Sequence, residues 1–174
     1  SKAARESAGI LDASTLGKID IKGTDASEFL NRVYTNAWSK LDIGKCRYGL
    51  MLNEDGMVYD DGVTTRLNEN HYVMTTTTGG AANVLSKLED YLQTEWPELD
   101  VWLTSVTDQY ATASVCGPNS KNILKKLFPK VEFNDENFPH MSFKNADLDG
   151  INCRIMRISF TGEHSYEINI DSRY

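Results

Sequence analysis

No stretch of the 174 residues approaches the roughly 20 consecutive apolar positions that a membrane-spanning helix needs. The first ten residues, SKAARESAGI, also lack the continuous apolar core of a signal peptide, so the chain reads as soluble and cytoplasmic. The three cysteines, Cys46, Cys116 and Cys153, are too few and too scattered for a disulfide framework or a zinc site. Each sits in an apolar strand pattern, which predicts a buried thiol. His71, His140 and His164 form no metal-spaced pair, which argues against a metallo-hydrolase or a histidine triad. Lys and Arg number 18 against 25 Asp and Glu, and the resulting net charge of -7 repels a nucleic-acid backbone. Gly117-Pro118-Asn119 is no glycine-rich phosphate loop, and no dinucleotide fingerprint occurs anywhere.

What is present is an ordinary globular alternation. Leu16 to Lys22 alternates like a half-buried strand, and Gly23 ends it. Asp25 reads as an N-cap with Glu28 three residues on, and Ala26, Phe29, Leu30 and Val33 share a helical face. Cys46 to Leu52 and Met57 to Leu67 read as antiparallel strands around the turn Asn53-Glu54-Asp55-Gly56, with His71 to Thr77 as the next strand. Gly79-Gly80 opens a helix carrying Val84, Leu85, Leu88, Tyr91 and Leu92. Pro97 closes it, and Val101 to Val106 follows as a strand.

The pattern then repeats. Gln109 to Cys116 is again strand-like, and GPNSKNILKKLF echoes GTDASEFLNRVY at an offset of about 94 residues. Gly117 matches Gly23, Asn119 matches Asp25, Leu124 matches Leu30 and Phe128 matches Tyr34. Strands near 141–148, 151–160 and 165–170 follow. The expectation is an α+β fold of two related antiparallel-sheet units with packed helices, a duplicated β-α-β-β-β pattern. The first unit would occupy residues 1–107. The second, 108–174, would stop short of the helix that the repeat calls for and leave apolar surface uncovered. Shared capping and amphipathic rules are the alternative origin of the echo.

Two segments stand out for chemistry. Asp60 and Asp61 are neighbours on a strand and point to opposite faces, so one can enter a cleft while the other is solvated. Strict alternation puts Asp60 with Val58 and Gly62, and Asp61 with Tyr59 and Val63. Asp is disfavoured inside strands, which points either to a function or to a charged edge that resists aggregation. In SFTGEHSYEINI, Glu167 stands on a strand after a glycine turn. Such a carboxylate can accept two parallel hydrogen bonds from an amidine-like edge, or simply face solvent. Tyr48 could stack on a ligand or fill core. The run Thr75 to Thr78 with Gly79-Gly80 gathers hydroxyls and helix-start N–H groups, suited to an anion or to ordinary capping.

At these motifs the chain resembles the folate-binding region of heterotetrameric sarcosine oxidase alpha subunits, a branch of the glycine-cleavage T-protein (aminomethyltransferase) family. The likeness covers essentially all of the chain. AGILDASTLGKIDIKG and EFLNRVYTNAWSKL are similar to the sarcosine-oxidase branch, MLNEDGMVYDD to the pattern MLN-x-x-GG-x-x-DD, and FTGEHSYEI to YTGE-x-GYEI.

The resemblance implies a fragment of the T-protein-like fold that binds tetrahydrofolate, with Asp60, the first aspartate of the pair, as the catalytic carboxylate. It further implies that Glu167 grips the pterin and that Tyr48 lines the pocket. Phe160 stands where the family usually has tyrosine, and Thr77 where it has asparagine; both are expected near the folate. Flavin and NAD, further pocket residues beyond Tyr174, and partners among the other oxidase subunits and the rest of the alpha chain are implied as well. A free-standing aminomethyltransferase, a non-catalytic folate-binding regulator and a structural docking domain are the competing readings.

Overall fold

The alternating segments form strands, and the amphipathic segments that follow Asp25, Gly80 and Asn119 form helices. The structure, a computed structural model, describes residues 2–174. In chain order the elements are α1 (Lys2–Glu6), β1 (Gly9–Asp12), β2 (Gly17–Lys22), α2 (Ala26–Val33), β3 (Cys46–Leu52), β4 (Val58–Asn68), β5 (His71–Thr76), α3 (Ala81–Asp90) and β6 (Trp102–Ser105). They continue with β7 (Tyr110–Cys116), α4 (Ser120–Leu127), β8 (Ser142–Leu148), β9 (Ile151–Arg157) and β10 (Ser165–Asp171). Among the described residues no helix is long and apolar enough to cross a membrane.

The chain divides into two units. Thr15–Thr107 forms one, with an antiparallel sheet in the order β3-β4-β5-β2-β6. Ile19 and Ile21 of β2, Met51 of β3, and Tyr72 and Met74 of β5 meet Phe29 and Leu30 of α2 and Val84 and Leu88 of α3 in a single core. Both helices therefore lie on one face of this sheet. The α3 helix runs on into one π-type turn, Tyr91–Glu95, before Pro97.

Asp108–Tyr174 and the residues up to Ser14 form the other unit, a sheet in the order β1-β7-β10-β9-β8. Its core joins Val115, Ile155 and Tyr166 to Leu124 and Phe128 of α4 and to Phe133 and Phe138. The residues up to Ser14 group with Asp108–Tyr174 because β1 pairs along the edge of β7. The two strand orders correspond one for one, with β2, β5 and β6 matched by β7, β10 and β1.

The match extends to backbone details. Gly23 and Gly117 both take positive φ, 135° and 110°, and each lies against the carbonyl of the residue leading to the edge strand, Asp100 or Ser7. The cap residues act differently from the expectation. Neither Asp25 nor Asn119 caps its helix through its side chain. Asp25 Oδ2 instead accepts the Asp100 N–H at 2.9 Å, and Asn119 Nδ2 donates to the Ser7 hydroxyl at 3.2 Å. Each polar side chain fastens the incoming edge segment, which competes successfully for the group a free helix would use. All three cysteines are buried thiols outside any disulfide, and burial raises the Cys153 thiol above its ordinary pKa.

Candidate functional site

The hairpin of β3 and β4 decides which aspartate faces which way. At its tip Leu52 pairs with Val58, yet the next pair is Met51 with Asp60, so Tyr59 is an extra residue in the ladder. Side chains directly opposite one another share a face. Continued without the bulge, the tip register would set Leu50 opposite Asp60 and bring Asp60 onto the face of Tyr48. The bulge shifts the ladder by one and reverses this, since Leu50 now faces Asp61 and Tyr48 faces Val63. The strict alternation expected around the pair therefore fails. Val58 is 57% exposed, while Tyr59 packs against the helix-side core with Lys87 Nζ 4.6 Å from its ring centroid.

Asp60 ends up on the helix side. It is only 4% exposed, and Thr77 engages both of its oxygens. The Thr77 hydroxyl donates to Oδ1 at 2.6 Å and the Thr77 N–H donates to Oδ2 at 3.2 Å. The same hydroxyl accepts the Gly80 N–H at 3.1 Å. Gly80 has to be glycine-sized, because a Cβ there would stand 2.5 Å from Asp60 Oδ1. Asp60 thus ties β4 to the turn that launches α3. Its charge, together with that of Asp61, adds to burial in raising the Tyr34 phenol far above its ordinary pKa.

Asp61 lies on the face away from α2 and α3. Its Oδ2 accepts the Tyr48 hydroxyl at 2.7 Å, and Tyr48 is 49% exposed. This bond, with the nearby negative charge, raises the Tyr48 phenol above its usual value. A partly exposed acceptor carrying a neutral phenol can orient a polar ligand and hold or pass a proton.

In the other unit, Tyr166, Ile168 and Ile170 belong to the helix-side core, so Glu167 and Asn169 occupy the opposite face of β10. Glu167 is 8% exposed and stands opposite Ser114 on β7 and Met156 on β9. Asn169 accepts the Thr112 hydroxyl at 2.7 Å. Phe160 is 91% exposed on the turn before β10. Arg5 of α1 braces that turn by bonding Glu163 and the Thr161 carbonyl.

Of the residues singled out from sequence, Asp60 and Thr77 come together directly, while Tyr48 is on the other sheet face from Asp60 and pairs with Asp61. Glu167 and Phe160 belong to the second unit. Asp61 is the residue that sequence reasoning passed over as a site candidate. Its signal is the parity of the hairpin, which depends on a bulge that no residue pattern announces.

Comparison with known proteins places the chain. All of residues 1–174 match the GCVT N-terminal domain. The chain is 58% identical over 98% of its length to a sarcosine oxidase subunit alpha of Corynebacterium sp. (strain P-1), and 50% identical to that of Rhizobium meliloti. It spans only 18% and 17% of those curated relatives. An aminomethyltransferase of Listeria monocytogenes is 31% identical, with 45% of its length covered. The fold matches the glycine cleavage aminomethyltransferase of Bartonella henselae with a TM-score of 0.84, at 24% identity, over 99% of this chain and 44% of that one. The heterotetrameric sarcosine oxidase of Corynebacterium sp. U-96 matches with a TM-score of 0.67 at 13% identity. This chain belongs to the GCVT N-terminal domain family, with sarcosine oxidase alpha subunits and aminomethyltransferases as its relatives.

Proposed function

We propose that this chain is the tetrahydrofolate-binding part of a sarcosine oxidase alpha subunit. In this role it captures the one-carbon unit released by oxidative demethylation of sarcosine as 5,10-methylenetetrahydrofolate. The identity to alpha subunits over nearly the whole chain supports the assignment to that branch rather than to free-standing aminomethyltransferases. The observation that carries the chemistry is the Tyr48–Asp61 pair. It is a carboxylate and a half-exposed phenol on the sheet face opposite the helices, and it includes the tyrosine that the family resemblance associates with the pocket.

Tetrahydrofolate supplies two nitrogen nucleophiles that bridge a single carbon. The protons they shed must reach the leaving group, whether that is the amine of glycine or the oxygen of formaldehyde. Asp61 is suited to relay them, with the Tyr48 hydroxyl fixing the orientation of its Oδ2. Glu167, an acid on the corresponding face of the second sheet, is suited to accept the paired N–H groups of a pterin edge. Phe160 offers an exposed aromatic surface for stacking. Asp60, the first aspartate of the pair, receives a different role from the one the resemblance gives it. Buried and held at both oxygens by Thr77, it positions the strand that presents Asp61, and Thr77 acts through Asp60 rather than on the ligand. Flavin, NAD and the other subunits belong to the rest of the assembly in this reading.

The test compares Asp61→Asn with Asp60→Asn in the full-length oxidase. Asp61→Asn is expected to slow methylenetetrahydrofolate formation by about 10²–10⁴-fold while sarcosine consumption continues. Asp60→Asn is expected to lower thermal stability more than it lowers the folate step of the protein that remains folded. The reverse ranking would return the catalytic role to Asp60. Equal loss of both activities in Asp61→Asn would remove the folate chemistry from this site.

A further inference from the structure

The helix-bearing face of the sheet closed by β1 is only partly covered. Beside α4 runs an open apolar groove whose lining includes Ile10, Ala111, Ala113, Ile123, Leu127 and Ile170. Ile10 is 77% exposed and Leu127 44%. An apolar channel of this kind marks a surface that something occupies.

The other unit identifies the occupant, because the two sheets correspond position for position. Gly17 of β2 faces Thr76 of β5 as Ala111 of β7 faces Ile170 of β10, and Ile19 faces Ser105 as Ala113 faces Asp12. Over β2 and β6 lies α3. Its Ala81 comes so close that a Cβ on Gly17 would be 2.7 Å from the Ala81 methyl, and its Val84 and Leu88 are fully buried. Over the matching strands β7 and β1 lies the groove. The same sheet geometry is thus filled by a helix in one unit and open in the other.

We propose that the groove seats an amphipathic α-helix from the remainder of the polypeptide, entered directly from the end of β10 as α3 is entered from β5. The relatives supply the length, since the chain spans 18% of the alpha subunits it resembles. The corresponding surfaces set the chemistry of the helix. Ala111 carries the Cβ for which Gly17 leaves no room under α3, so a glycine, or a helix seated slightly farther from the sheet, belongs over it. Aliphatic residues follow at three- and seven-residue spacing to meet Ala113, Ile10 and Leu127. Ile170 stands where Thr76 stands in the other unit, so this side of the seat is more apolar than its counterpart. The inference is independent of the folate reading, because it rests on the repeat, the open groove and the length of the relatives.

The experiment places a photo-crosslinking phenylalanine analogue at position 10, and separately at position 123, in the full-length protein. Both side chains line the groove and lie outside this unit's own buried core, so each analogue stands against whatever fills the groove. Illumination followed by peptide mapping is expected to join both positions to one segment within about 30 residues after β10, the span of a helix of roughly three turns and its connections. Crosslinks to another subunit, to a second copy, to a distant part of the polypeptide, or to nothing but solvent would each overturn the proposal.

Discussion

Replacing Thr77 by valine removes a hydroxyl and leaves a carboxylate oxygen of Asp60 without its 2.6 Å donor in a nearly closed site. A buried acceptor left unmet costs about 1–3 kcal/mol, and more when charged. Thermal unfolding of Thr77→Val should show at least that loss, whereas Thr77→Ser should recover most of it. An unchanged melting temperature for the valine variant would mean that water replaces the hydroxyl and that Asp60 is no brace. Tyr48 provides a second residue-level test. Its phenol is held above the ordinary range because the neutral form donates to Asp61, so the bond persists through neutral pH and is lost as pH rises past the raised pKa. In Asp61→Asn the phenolate midpoint of Tyr48 should fall toward about 10. Ultraviolet titration against a Tyr48→Phe reference isolates that one tyrosine, and an unmoved midpoint would show that the pair is not formed in solution. Residue identity alone made both aspartates conspicuous. It did not say which is buried, because that depends on a one-residue register shift at Tyr59.

Elements were far more legible than their fine contacts. The run from Cys46 to Leu52 matches β3 residue for residue, and the apolar spacing of 26, 29 and 30 matches the buried stripe of α2. Period and turn chemistry dominate locally, so these assignments need no tertiary information. The caps misled because the best acceptor for a polar side chain at a helix start is not always its own helix. Asp25 serves the segment leading into β6, which arrives from 75 residues further along the chain. Gly23 makes the same junction sharper. It has φ of 135°, and a Cβ would lie 1.9 Å from the Asp100 carbonyl oxygen, a backbone atom that cannot swing aside. Gly23→Ala should therefore cost more than the about 1–3 kcal/mol of a strained backbone position alone. Its denaturation midpoint should fall well below that of Gly56→Ala, where φ is 80° and nothing lies within 4 Å. Similar midpoints for the two variants would mean that the Asp100 junction relaxes freely.

At the scale of the whole molecule, the repeat read from the sequence proved to be two sheets of identical strand order, but closed differently. The first sheet takes its edge strand from later in the chain, after α3. The second takes it from the N-terminus. No pattern in residues 9–12 distinguishes a strand that pairs with β2 from one that pairs with β7 some hundred positions away. The short segment GILD was therefore not recognisable as the missing edge until the pairing was seen. This closure makes a sharp prediction. Deleting the residues up to Ser14 removes β1, the Ser7 contacts to Asn119 and the Arg5 bonds to the 159–163 turn together. The strand β7 then becomes an open edge next to an already apolar groove, the arrangement that favours strand addition and aggregation. Native-state hydrogen exchange on the truncated chain should show β7 and β10 losing protection, with the amides of β2 and β5 close to their original rates, because among the described residues β1 pairs with β7 alone. Uniform loss across both sheets would mean that the two units unfold as one, and that the N-terminal strand supports the whole molecule rather than the sheet it completes.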